Sequence, residues 1–193
     1  MNVKKLFIAP LFAAAFLSFK PIDKKIIVID AGHGGNDMGA IYEGVSEKQI
    51  VLDIASKIKQ SNQAQDDYEI VLTRDSDNNA TLNDRTEMIN KLNPEMVISL
   101  HINRSPAKES TTKGHEIFTQ NSDASKSLAE KISKKFGECN IQERNLHILR
   151  ESKSPAVLVE LGFINNTEDR KYLTSEEGQK EVAQKFIEII TEK

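Results

Sequence analysis

From Lys25 onward the chain alternates short β-branched runs with longer stretches in which apolar residues return every three or four positions. The first run, Lys25-Ile26-Ile27-Val28-Ile29-Asp30, ends at Gly32, Gly34 and Gly35, the composition of a buried strand entering a turn. Ile50, Val51, Ile54, Ala55 and Ile58 then repeat at helical spacing behind Ser46, a residue suited to an N-cap. Further strands are predicted at 69–73, 96–101, 114–119 and 156–161, with helices at 83–91 and 124–136 between them. Thr174-x-x-Glu177 has the form of a capping box and opens a last helix with Val182, Phe186, Ile189 and Ile190 on one side. The segments 102–113 and 137–145 are polar and read as loops.

Strands that alternate with helices predict one α/β domain, over 25–193, with a largely parallel twisted sheet and helices on both faces. In such sheets ligands sit beyond the carboxyl ends of the strands, so polar residues there carry the functional question.

Residues 1–20 follow a different pattern. Lys4 and Lys5 precede the uncharged run from Leu6 to Phe19, the layout of a secretory signal peptide. Fourteen residues at 1.5 Å rise span about 21 Å, short of the roughly 30 Å hydrocarbon core, so export is the expectation over a membrane span. The cleavage position, or retention as an anchor, is open. Without the three lysines of residues 1–20 the formal charge falls from −3 to −6, which argues against nucleic acid as a partner. Cys139 is the only cysteine and has no partner for a disulfide or a thiolate metal site.

Four residues stand out for chemistry. His33 follows the first strand between glycines, where the backbone can turn sharply, although taken alone so short a motif is more often an ordinary turn histidine. Glu47 lies three, four and seven residues before Ile50, Val51 and Ile54, on the face of the apolar stripe. A carboxylate there needs a metal or a salt bridge, unless it sits at the surface of the first helical turn. His101 closes an apolar strand run, and Glu160 interrupts another, with ion pairing to Arg74, Arg85 or Arg150 as its plain alternative. Together, two histidines and a glutamate supply a His₂Glu zinc set with a fourth position for water. Such a metal lowers the pKa of its water and polarises a carbonyl, and Glu160 would shuttle the proton to a leaving amine.

The sequence resembles the zinc-dependent N-acetylmuramoyl-L-alanine amidases of the amidase type 3 family over nearly all of 25–193. The resemblance is carried by Ile29-Asp30-Ala31-Gly32-His33-Gly34-Gly35-Asn36-Asp37, Gly44-Val45-Ser46-Glu47-Lys48, Leu72-Thr73-Arg74-Asp75 with Arg85, Ile98-Ser99-Leu100-His101-Ile102-Asn103, Lys113-Gly114-His115-Glu116, and Pro155 through Asn166. It implies that His33, Glu47 and His101 bind Zn2+, that Glu160 is the catalytic acid/base, and that the bond cut joins the lactyl group of N-acetylmuramic acid to L-alanine in peptidoglycan. His115 and His147 match no ligand position and are read as strand or surface residues; Arg74 and Arg85 are expected in ion pairs with acids such as Asp75.

Only 59 residues separate His101 from Glu160, so the long regulatory helix that some relatives insert there is not expected. Wall-binding modules are not expected either, which leaves targeting to the cleft, or to an activator or targeting protein. A monomer in the periplasm or cell envelope is the resulting picture. Two other classes compete: a non-catalytic muropeptide-binding or activator protein, and another zinc hydrolase such as a wall peptidase or a deacetylase.

Overall fold

A computed structural model of the chain describes residues 24–62, 67–137 and 139–192. The expected leader at 1–20 lies outside the described residues.

Six strands form one sheet in the order β4-β1-β5-β8-β6-β7. They are β1 (Lys25–Ala31), β4 (Tyr68–Leu72), β5 (Met96–Asn103), β6 (Glu116–Thr119), β7 (Asn140–Glu143) and β8 (Ala156–Phe163), while β2 (Ile41–Tyr42) and β3 (Val45–Ser46) make a separate small hairpin. The pairs β1–β4, β1–β5, β5–β8 and β6–β7 are parallel, and β6–β8 is antiparallel. The sheet is thus largely parallel, as the alternation predicts.

Side-chain alternation along the central strands sorts residues onto two layers. Ile27, Ile29, Ile98, Leu100, Val157 and Val159 point into the main core. That core is closed by α1 (Glu47–Ser61), α3 (Asp123–Phe136) and α6 (Glu176–Thr191), and Phe186 of α6 is fully buried in it. Burying such a side chain stabilises the fold by about 1.5–3 kcal/mol. Val28, Val97 and Leu158 face the smaller second core with α2 (Leu82–Leu92) and α4 (His147–Glu151). Counting by twos from Val97 and Leu158 places Ser99, His101 and Glu160 on this second face.

Several local expectations are corrected. Thr174 does not cap the last helix: it ends α5 (Thr167–Thr174), and its hydroxyl donates to the carbonyl of Arg170. Ser175 is the cap, accepting from the amide of Gly178, so the helical break falls one residue later than the pattern suggests. Ser46 does stand at the N-cap of α1 but makes no side-chain cap bond. The box that forms is Thr81 with Asp84, opening α2. β7 lies in the segment read as loop; it pairs only with β6, an edge position that needs no alternating apolar face.

Candidate metal centre

The first donor, His33, sits in the turn after β1 with φ of 60°, a left-handed conformation unusual for a residue with a Cβ. Its Nδ1 meets Asp37 Oδ2 at 2.8 Å, and its Nε2 lies 2.9 Å from Glu47 Oε1. Glu47 is the first residue of α1 and only 3% exposed. The hairpin of β2 and β3 leads the chain into that helix, and the amide of Ala40 donates to Glu47 Oε2 at 2.8 Å. On the other side, Glu47 Oε1 meets His101 Nδ1 at 2.9 Å and accepts from the amide of Ile102 at 2.9 Å. The two imidazoles stand edge to face with centroids 4.8 Å apart.

One ligand atom from each of His33, Glu47 and His101 thus falls within 4.8 Å of the others. Donors sharing one zinc at about 2.0–2.2 Å in a tetrahedron are roughly 3.3 Å apart, close to the two 2.9 Å contacts that Glu47 Oε1 makes with the histidines. The donor chemistry fits too: two imidazole nitrogens and one carboxylate, with Asp37 on the far nitrogen of His33 to fix ring and tautomer.

Charge in the cluster is strongly perturbed. Burial alone would raise the Glu47 pKa, but hydrogen bonds and charges from His101 and His33 outweigh it and hold the carboxyl well below its ordinary range. Burial opposes the His33 cation, yet Glu47 and then Asp37 raise its pKa to about 9.

Glu160 is the Cα register partner of His101 on the adjacent strand and of Glu116 on the other side. Burial, reinforced by the charges of Glu47 and Glu116 and only partly offset by His101 and His33, raises its pKa to about 7. Its Oε2 is buried without a hydrogen-bond partner among the described residues. The ion pair considered for it does not form. Arg74 and Arg85 are engaged elsewhere, and Arg150 pairs with Glu151.

Of the ion pairs expected of the two arginines with acids such as Asp75, the one at Arg85 forms, with Asp30 as the acid, and among the described residues Arg74 makes none. Arg85 Nη1 lies 2.7 Å from Asp30 Oδ1 in a buried pair, and Arg74 donates to backbone carbonyls. Asp30 ends a predicted strand, and only the packing of α2 on that face reveals its partner. His115, half-buried just before β6, lies outside the cluster; its Nε2 donates to the carbonyl of Phe136 at 2.8 Å. His147 opens α4 and, with Leu82, Leu146 and Ile148, walls a cavity of about 560 Å³ that opens beside His33 and His101. A cavity of about 690 Å³ at the opposite ends of the strands, lined by Lys25, Met96 and Pro155, holds none of the cluster residues. Sequence reasoning gave no role to Asp37, Glu116 or Asn103, whose amide nitrogen donates to Glu116 Oε2 at 2.7 Å. Nothing in their spacing distinguishes them from solvated polar residues.

The fold and the cluster define a class: an α/β domain with a candidate three-residue metal site at the carboxyl ends of its parallel strands. Residues 27–192 match the family profile described as N-acetylmuramoyl-L-alanine amidase, and the chain belongs to that family. An endolysin of Bacillus phage SPP1 is 33% identical over 177 residues, covering 87% of this chain; the chain spans 65% of that protein's length. The catalytic domain of CwlV, an N-acetylmuramoyl-L-alanine amidase from Bacillus (Paenibacillus) polymyxa var. colistinus, is similar with a TM-score of 0.81 and 34% identity, over 87% of this chain and 97% of that one. The CwlD amidase of Clostridioides difficile, solved in complex with the GerS lipoprotein, is similar with a TM-score of 0.80 and 27% identity, over 86% of this chain and 96% of that one.

Proposed function

We propose that this chain hydrolyses the amide between the lactyl group of N-acetylmuramic acid and L-alanine of the peptidoglycan stem, using Zn2+ held by His33, Glu47 and His101, with Glu160 as general acid/base. The observation that carries the reading is the meeting of both imidazoles on one oxygen of Glu47, with Glu160 on the next strand, in a chain of the amidase family. When bound, the zinc supplies an activated water and polarises the scissile carbonyl.

The chain's own residues do the rest. Asp37 holds the His33 ring so that Nε2 faces the cluster. The amides of Ala40 and Ile102 fix the Glu47 carboxylate from both ends of its reach. Glu160 takes a proton from the attacking water and delivers it to the alanine nitrogen as the C–N bond breaks, leaving a lactyl carboxylate and a free amine. A pKa of about 7 suits a group that must do both near neutrality.

The same reading includes export to the cell envelope, most simply a periplasm, where peptidoglycan lies and where the signal-like residues 1–20 would direct the chain. No helix among the described residues is long and apolar enough to cross a membrane. An activator or targeting protein belongs to the reading as well, and the complex of CwlD with a lipoprotein supports it.

The test is to incubate the full chain with peptidoglycan, with and without a zinc chelator, and to identify fragments by mass spectrometry. Stem peptides with a free L-alanine amine, lost on chelation and restored by zinc, are expected. Release of a D-amino acid or of acetate would assign the zinc to a peptidase or a deacetylase, and no fragments from zinc-loaded protein would favour a binding protein or one that needs its activator.

A further inference from the structure

The turn that carries His33 is gripped by one segment, 74–85, from two sides. From beneath, Arg85 Nη1 donates to the carbonyl of Ala31 at 2.7 Å and Nη2 to the carbonyl of His33. Arg74 Nε donates to the carbonyl of Ala31 at 2.9 Å, and its Nη2 reaches two carbonyls at once, Gly32 at 2.8 Å and Lys48 at 2.7 Å. From outside, Asp77 Oδ1 accepts from the amide of Gly35 and Asn79 Oδ1 from the amide of Asn36, each at 2.8 Å. Lys48 Nζ joins this outer layer by donating to the carbonyl of Gly35 and to Asp77 Oδ2.

Two features make this more than ordinary loop packing. Arg74 and Arg85 are 3% and 4% exposed, so two cations are buried while, among the described residues, Asp30 alone supplies a buried counter-charge to them. Arg74 in particular is satisfied by carbonyls, an expensive way to fill space unless those carbonyls need holding. Moreover, Lys48 directly follows Glu47, so Arg74 Nη2 ties the start of α1 to the turn bearing His33. One guanidinium thereby sets the separation of two of the three candidate ligands, and His33 holds φ of 60° within that grip.

We propose that Arg74 and Arg85, with Asp77 and Asn79 on the outside, are positioning residues of the metal centre: they hold the 31–36 backbone so that His33 Nε2 and Glu47 Oε1 are aimed at one point before the ion arrives. The inference rests on the reading that His33, Glu47 and His101 hold zinc. A planar guanidinium with divergent N–H groups can serve carbonyls in several directions, whereas a lysine ammonium at the end of a flexible stem cannot reproduce that fork.

The test uses the full chain and reads metal binding rather than turnover: zinc affinity by chelator competition, and the visible bands of the Co2+-substituted protein, which report coordination geometry. Arg74→Lys is expected to weaken zinc about 10–100-fold, the usual effect of losing an outer support of a metal ligand, and to alter the Co2+ bands while far-UV circular dichroism stays that of the parent. Asp77→Ala combined with Asn79→Ala changes only exposed side chains and serves if Arg74→Lys does not fold; a several-fold loss of zinc affinity with an unchanged melting temperature is expected. Ile189→Val, in the distant main core, controls for stability loss alone and should keep the parent's affinity. Parent-like zinc affinity and Co2+ bands in folded Arg74→Lys, or in the exposed pair when Arg74→Lys does not fold, would overturn the positioning role, as would an equal loss in Ile189→Val. A parent that binds no zinc would instead overturn the metal reading itself, and this inference with it.

Discussion

Glu160 and His101 face one another in register across adjacent parallel strands, β8 and β5, so the candidate acid/base and one candidate ligand are fixed by the same ladder of backbone hydrogen bonds. That rigidity leads to a sharp expectation for Glu160→Gln. The substitution keeps shape and burial but abolishes proton transfer, so amide hydrolysis should fall about 10²–10⁴-fold with zinc still bound. The variant should melt no lower than the parent, because it replaces a buried carboxyl whose Oε2 has no partner among the described residues. Stem-peptide release within tenfold of the parent, at equal zinc content, would remove Glu160 from the mechanism.

Glu47 and Asp37 should separate by degree. Glu47 meets both imidazoles, whereas within the cluster Asp37 meets only the far nitrogen of His33. Asp37→Asn is expected to weaken zinc by roughly 10–100-fold, and Glu47→Ala by more than that, both read by chelator competition. An equal, small effect in the two variants would mean that Glu47 is not a ligand.

Asp30 gives a pH dependence with a definite sign. Burial alone would raise its pKa, but the charge of Arg85 and hydrogen bonds from Ser99, Thr73 and Arg85 outweigh burial and lower it. Between the folded and unfolded values the unfolded chain binds more protons, so this contribution is fully present above about pH 4 and is lost as pH falls through the folded value. Breaking the pair by Asp30→Asn should cost about 3–5 kcal/mol in urea unfolding at pH 7. The gap between parent and variant should narrow on acidification, and a gap that stays constant from pH 7 to pH 2 would contradict the assignment.

Two glycines with positive φ should behave differently. At Gly39 (φ 64°) an added Cβ would lie 2.5 Å from Glu47 Oε2 and 2.7 Å from His33 Cδ2, so Gly39→Ala should both destabilise the chain and disrupt zinc binding. At Gly44 (φ 79°) the same atom meets open space, so Gly44→Ala should cost only the backbone strain of about 1–2 kcal/mol and leave zinc affinity unchanged. Thermal melting with and without zinc separates the two effects.

The sequence by itself determined the layers and named the residues of the candidate cluster. β-Branched runs mark β1, β5 and β8 because central parallel strands are buried on both faces. His33, Glu47, His101 and Glu160 were legible because each is a polar residue set in or beside an otherwise apolar pattern, where a solvated role is costly. What only the tertiary structure decided is which distant groups answer one another. Asp30 and Arg85 are 55 residues apart, and Arg74 reaches the carbonyl of Lys48 across 26. Asn103 and Glu116 join through a single amide hydrogen bond. Such contacts depend on the directions in which loops and side chains leave their elements, and many of them end on backbone carbonyls, which every residue has and no sequence pattern marks.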